Sequence, residues 1–200
     1  MAEALCALGG YLAGSIPFAV IVSRLMALPD PRSYGSRNIG ATNVLRSGSR
    51  LAALLTLAGD AGKGWAAVLV AQAIGASVVE IAIVGFCAFL GHVFPVWLRF
   101  RGGKGVATTA GVLIAFDWRL GLSVLGVWVA VAAASRYSSL AAIVAALFAP
   151  AMAWYIGRPS ALFVAVAAMS VILVARHHAN IAKLARGEES RIGEKKVTSP

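Results

Sequence analysis

This chain predicts an all-α integral membrane protein, a bundle of about seven transmembrane helices. Three observations lead there. The 200 residues are 60% hydrophobic and only 13% charged, with a mean hydropathy of +0.81, which excludes an ordinary soluble domain. Apolar runs recur from one end to the other. Basic residues gather in alternate connections between those runs.

Leu5–Ala27 is the first anchor, because MAEALCALGG has no basic n-region and no clear cleavage site for a secretory signal. Its Gly10 and Gly14 form a GxxxG step suited to close helix packing. Leu51–Ile74, Val78–Leu98 and Leu140–Ile156 also suit a hydrocarbon core of ~30 Å at a rise of ~1.5 Å per residue. Val106–Phe116 and Leu120–Ala134 are short, so they form two thin spans or one re-entrant pair. Two spans is the preferred reading, and Ala161–Ala175 completes seven.

Seven spans put the termini on opposite sides. One set of connections and the tail hold fourteen lysines and arginines, among them Arg37, Arg46, Lys104 and Arg176, whereas the other set holds Arg119 and Arg158. The positive-inside rule therefore predicts an outer N-terminus and a cytoplasmic C-terminus. A single transmembrane domain is expected over residues 1–186, followed by a polar cytoplasmic tail over 187–200.

The net charge of +10 reads as topology signal plus attraction to anionic membrane lipid, worth ~1 kcal/mol per basic residue near the surface. Nucleic acid is excluded as a partner, since the basic loops lack interleaved aromatics and any recognisable module. Cys6 and Cys87 lie in apolar runs without CxxC spacing, which predicts neither zinc nor a disulfide framework. Acidic residues are few and scattered, so no metal site and no cofactor are expected.

The chemistry concentrates in two loops. In Gly91–Gly111, GHVFPVWLRFRGGKGVATTAG, an apolar run ends in Arg99, Arg101 and Lys104 around Gly102, Gly103 and Gly105. Arg99 and Arg101 suit simple membrane anchoring. Lys104 differs, because glycines flank it and a helix begins just after, where backbone donors and the helix dipole favour an anion. The spacing is not that of a P-loop, there or at Gly62-Lys63. Gly35–Arg46, GSRNIGATNVLR, offers turning glycines, hydroxyl and amide side chains, and the bidentate fork of Arg46. Its plain alternative is a capped loop, with Thr42 or Asn43 as helix N-cap.

Asp60 and Lys63 lie three apart inside a span, as an ion pair or as part of a site. His177, beside Arg176 and Asn180 at the mouth of the last span, is a better site candidate than His92 or His178. No histidine has an aspartate five residues on, which removes the usual His–Asp base of soluble-type glycerolipid acyltransferases. Ser36, Asn38, Thr42, Asn43, Lys104, Thr108, Ser138, Ser139, His177 and Asn180 all fall on one side in this topology. A transporter would place such groups near mid-membrane, so surface chemistry is favoured.

The chain resembles the bacterial acyl-phosphate:glycerol-3-phosphate acyltransferases over essentially its whole length. The resemblance rests on GSIP (Gly14–Pro17), GSRNIGATNVLR, DAGKG (Asp60–Gly64), GHVFPVWLRFRGGKGVAT (Gly91–Thr108), SRYSSL (Ser135–Leu140) and RHHANIAKLARGEESRIG (Arg176–Gly193), in that order. It implies a seven-helix enzyme of the bacterial inner membrane with a cytoplasmic active site. The implied substrates are acyl phosphate and sn-glycerol 3-phosphate, and the implied products are lysophosphatidate and inorganic phosphate. Lys104, Ser139 and His177 are the implied catalytic residues. Ser36, Asn38, Thr42, Asn43, Arg46, Gly102, Gly103, Thr108 and Asn180 are the implied substrate-binding residues. Arg37 departs from the family pattern, which often has glycine there.

Acyl phosphate is already activated, so the glycerol 1-hydroxyl is expected to attack it directly, without an acyl-enzyme. The proton acceptor is either His177 or the substrate's own phosphate. Two other classes compete: a phosphate or organophosphate transporter, and a scaffold for soluble lipid-synthesis enzymes. Acyl-chain preference and oligomeric state are left open, with a monomer among the options.

Overall fold

The computed structural model describes residues 2–193, and every regular element among them is helical. Helix α1 (Ala2–Ser15) breaks at Pro17 and resumes as α2 (Phe18–Leu25). Proline has no N–H to continue the helical ladder, so the break follows from the sequence. A long loop then carries α3 (Ala41–Val44) and a 3₁₀ turn over Leu45–Ser47. Next come α4 (Arg50–Ala73) and α5 (Val78–Val93), whose start is secured by a capping box between Ser77 and Glu80.

After a 3₁₀ turn at Val96–Leu98, the glycine-rich loop leads into α6 (Val106–Phe116). Asp117 alone separates α6 from α7 (Trp118–Ser135) and caps α7 by accepting the Arg119 N–H at 2.8 Å. It also pairs with Arg158 at 3.1 Å, tying this turn to the one between α8 (Ser138–Tyr155) and α9 (Ser160–Arg176). The chain bends by 54° at His177 into α10 (His178–Ala185).

The core sits where α5, α6, α8 and α9 meet, around the fully buried Phe89, Leu113 and Met169. A smaller cluster, with Ile39 and Val44 against Ala19 and Ala52, pins the long loop onto α2 and α4. Two helix crossings depend on missing side chains. A Cβ at Gly14 would overlap the carbonyl of Ala88, so α1 lies directly on α5. A Cβ at Gly111 would overlap the carbonyl of Ala61, so α6 lies directly on α4. The expected packing role of the GxxxG step is realised at Gly10 as well, which abuts the Val84 backbone.

The outward faces are apolar: Leu54, Val70, Leu147 and Val171 are each at least 60% exposed, which suits lipid contact. Five segments are long and apolar enough to span: Glu3–Leu25, Arg50–Ala73, Val78–Leu98, Trp118–Ser135 and Ser138–Tyr155. The bent pair of α9 and α10 makes a sixth. This is a multi-pass integral membrane protein with five to six candidate spans, one or two short of the seven expected. Helix α6 falls short of spanning length, and α9, at 17 residues, reaches it only together with α10. The 11 residues of α6 rise only about 16 Å, and Thr108, Gly111, Val112 and Leu113 are buried.

Candidate active site

Two loops, the α7–α8 junction, the α9–α10 bend and the beginning of the tail surround a cavity of about 500 Å³. Lys104 and Arg46 line it from different loops. Lys104 Nζ donates to Asn180 Oδ1 at 2.6 Å, which joins the glycine-rich loop to α10. Asn180 Nδ2 donates to Glu189 Oε1 at 2.6 Å, and Ser139 Oγ donates to the same oxygen at 2.7 Å. Arg46 Nη2 donates to Ser190 Oγ at 2.6 Å.

Burial pushes the Lys104 ammonium down to about 8. The Glu189 carboxylate opposes that shift, whereas Arg46, Lys183 and Arg176 reinforce it. Cations outnumber the one carboxylate among these groups, so the field favours an anion. His177 is buried at the bend, and its Nδ1 faces the Leu173 carbonyl at 2.8 Å. A carbonyl only accepts, so Nδ1 carries the proton and Nε2 keeps a lone pair.

The Gly35–Arg46 loop is folded by Asn43. Its Oδ1 accepts the Ser36 N–H at 2.9 Å, and its Nδ2 faces the carbonyls of Pro31 (2.7 Å) and Asn38 (3.0 Å). The capping alternative does not occur, since the residue before α3 is Gly40 and no side chain caps it. Arg37 holds φ at 57°, in the left-handed region that favours glycine. That is the physical reason glycine suits this position. Thr42 Oγ1 lies 3.2 Å from Ser138 Oγ, closing one side of the cavity.

Of the residues singled out from the sequence, Ser36, Asn38, Thr42, Asn43, Arg46, Lys104, Ser138, Ser139, His177 and Asn180 line the cavity, and Asp60 and His92 reach its floor. Gly102, Gly103 and Thr108 do not line it. The two glycines lie against His92, and Thr108 packs on Gly64 of α4. Sequence reasoning missed Glu189, which lines the cavity with Ile192 although both lie past the expected domain boundary at 186. The remainder of the tail, from residue 194, lies outside the described residues. Thr109 was missed too; it lines the cavity, and its buried hydroxyl has no partner among the described residues. A lone glutamate in a basic segment was the available signal for Glu189.

The opposite wall is apolar, built from Val124, Leu125, Trp128, Ala142, Ala145 and Ala149. Ala142, Ala145, Ala146 and Ala149, at helical spacing on α8, make that wall an apolar trough of small side chains. Fixed cations beside an apolar wall, in a multi-pass membrane protein, suit an amphipathic anion.

Comparison with known proteins makes this class specific. A family model described as glycerol-3-phosphate acyltransferase matches residues 4–187. The glycerol-3-phosphate acyltransferase of Cupriavidus necator is 56% identical over 200 residues, covering 98% of this chain and 99% of that protein. The one from Burkholderia cenocepacia is 58% identical over 195 residues, covering 96% and 92%. Two crystal structures of PlsY (YgiH), an integral membrane glycerol 3-phosphate acyltransferase, share the fold. Its glycerol 3-phosphate form matches at TM-score 0.91 and 33% identity, and its lysophosphatidic acid form at 0.89 and 32%, each over 96% of both chains. The chain belongs to the glycerol-3-phosphate acyltransferase family. It is an acyltransferase enzyme, and the transporter and scaffold readings give way.

Proposed function

We propose that this enzyme transfers a fatty acyl group from acyl phosphate to the 1-hydroxyl of sn-glycerol 3-phosphate, releasing lysophosphatidate and inorganic phosphate. The observation that carries this reading is the pairing of two cationic anchors, Arg46 and Lys104, with an apolar trough in one cavity. Two phosphorylated substrates need two anchors, and a fatty acyl chain needs the trough. The solved relatives are described in glycerol 3-phosphate and lysophosphatidic acid forms, which agrees with that substrate and product.

Lys104 and Ser139 hold the acyl phosphate, with the backbone N–H groups of Gly105 and Val106, which line the cavity, completing its phosphate site. Arg46, Ser36, His177 and Asn180 hold glycerol 3-phosphate, and Asn38 and Thr42 complete that site. Asn43 acts by folding the loop that presents Ser36. The glycerol hydroxyl attacks the acyl carbonyl, the acyl–oxygen bond to phosphate breaks, and phosphate leaves with the electron pair. Lys104 stabilises the charge that develops on the leaving group. The proton goes to His177 Nε2, whose lone pair is free, or to the substrate phosphate.

No acyl-enzyme forms in this scheme. Ser139 has a carboxylate as its acceptor, not the imidazole that activates a serine nucleophile. The active site faces the cytoplasm, with seven helices, the short α6 among them, threading the bilayer from an outer N-terminus. Residues 1–186 form the catalytic domain, and Glu189 brings the start of the 187–200 tail against it. The test is purified protein in detergent with palmitoyl phosphate, with and without glycerol 3-phosphate. Phosphate and lysophosphatidate should appear in equal amounts, and only when both substrates are present. A stably acylated protein detected by mass spectrometry during turnover would overturn direct transfer.

A further inference from the structure

Three ionisable side chains are buried together beneath the glycine-rich loop; Asp60 and His92 reach the cavity and Lys63 does not, and the proposed reaction uses none of them. Asp60 and Lys63 come from α4 and His92 from α5; their exposures are 2%, 6% and 4%. Lys63 Nζ lies 2.7 Å from Asp60 Oδ1, 2.7 Å from the Ile16 carbonyl and 3.0 Å from His92 Nδ1. An ammonium has three protons and no lone pair, so each proton has one acceptor. The Ile16 carbonyl is available because Pro17 interrupts the helix there.

With Nδ1 accepting from Lys63, the proton of His92 sits on Nε2, and that edge of the ring is turned to Gly103. A Cβ at Gly103 would overlap Nε2, so the loop lies directly on the ring. The His92 carbonyl also accepts the Gly103 N–H at 3.0 Å. One turn earlier on α5, the Phe89 ring lies against Gly105 in the same way. Lys104 thus stands between two glycines, each seated on a ring of α5.

Stability alone is a poor reason to bury such groups. Replacing a buried ion pair by apolar residues of similar size is often neutral or stabilising. Ionisable residues at membrane depth are costly and mark function. We infer that Asp60, Lys63 and His92 are positioning residues, which lock the His92 ring under Gly103 and so aim Lys104 into the cavity. The ion pair fixes the ring, the ring and its carbonyl fix Gly103, and Gly103 fixes the next residue. This inference rests on the reading of Lys104 as the anchor for the donor phosphate.

The test compares His92→Ala, His92→Gln and the double variant Asp60→Leu/Lys63→Met, which removes both charges and keeps apolar volume. Steady-state kinetics are measured with palmitoyl phosphate and glycerol 3-phosphate varied separately, and hydrogen exchange of the segment 99–106 is followed by mass spectrometry. A misplacement of about 1 Å costs on the order of 100-fold. His92→Ala and the double variant should therefore lower kcat/KM for palmitoyl phosphate by about that factor and speed exchange at Gly103. His92→Gln, whose amide can still bridge Lys63 and the loop, should restore most of both.

Wild-type kinetics in the folded double variant would overturn the inference. So would lost activity with unchanged exchange in the loop. If His92→Ala does not fold, the same two readouts on His92→Gln and the double variant decide. Lys104→Ala separates the anchoring role of Lys104 from the positioning role of the buried triad. Full activity there removes the reading of the site itself, whereas an inactive Lys104→Ala beside a fully active double variant removes only the positioning role.

Discussion

Lys104 and Asn180, 76 positions apart, meet through a hydrogen bond of 2.6 Å from Nζ to Oδ1. That contact joins the glycine-rich loop to the helix after the last span, and it orients the amide that in turn meets Glu189. Asn180 and its carboxylate neighbour Glu189 hold the cation in place. In the proposed complex a phosphate takes over that role.

Lys104→Ala should lower kcat by about 10–100-fold, since one charge-assisted hydrogen bond is worth ~1.5–3 kcal/mol and acts on the leaving group. Lys104→Arg should retain part of the rate, because it keeps the charge but not the compact ammonium. Steady-state phosphate release measures both, and a wild-type rate in Lys104→Ala would contradict the assignment.

The Lys104 group, lowered to about 8 chiefly by burial, predicts opposite pH trends for catalysis and folding. The cation is needed to bind an anion, so kcat/KM should fall as pH rises through about 8. Folding behaves differently, because the unfolded chain holds the proton up to the ordinary lysine value of 10.5. Between about 8 and 10.5 the unfolded state binds more protons, so the contribution of this group to stability rises with pH. Kinetics and thermal melts across pH 7–10.5 check the two trends together. Lys104→Met should abolish both.

Glu189 accepts from Ser139 and Asn180 with the same oxygen. Glu189→Ala leaves a hydroxyl and an amide without their acceptor and withdraws the charge that steadies Lys104. Activity should fall about tenfold or more, at ~1–3 kcal/mol for each polar group left unsatisfied. Glu189→Gln keeps an accepting oxygen and should be milder. A truncation after Arg186 that kept wild-type turnover would show that the tail plays no part.

Gly14→Ala should destabilise the fold by roughly 1–3 kcal/mol, since the new methyl would overlap the Ala88 carbonyl and force α1 off α5. Gly9 is the internal control. It lies in the same helix with nothing within 4 Å of a built Cβ, so Gly9→Ala should be neutral or stabilising. Melting temperatures in one detergent compare the pair, and equal melting would deny the close crossing.

Much of this protein was legible in its sequence because the relevant signals are local. Apolar composition, proline breaks and glycine spacing act within a few residues, and every apolar run became a helix. The concentration of phosphate-suited groups in two loops was equally visible, as were the polar residues at Ser139, His177 and Asn180. Composition could not show that α6 lies directly on α4 at Gly111, since burial by protein and burial by lipid select the same residues. Nor could it show that Asn43 spends its amide on its own loop.

Tertiary structure decided the rest, because long-range contacts have no local period. Glu189 reaches Ser139 across 50 positions, and Lys63 reaches His92 across 29 and the Ile16 carbonyl across 47. Close packing and hydrogen-bond satisfaction choose such partners only once the helices are assembled.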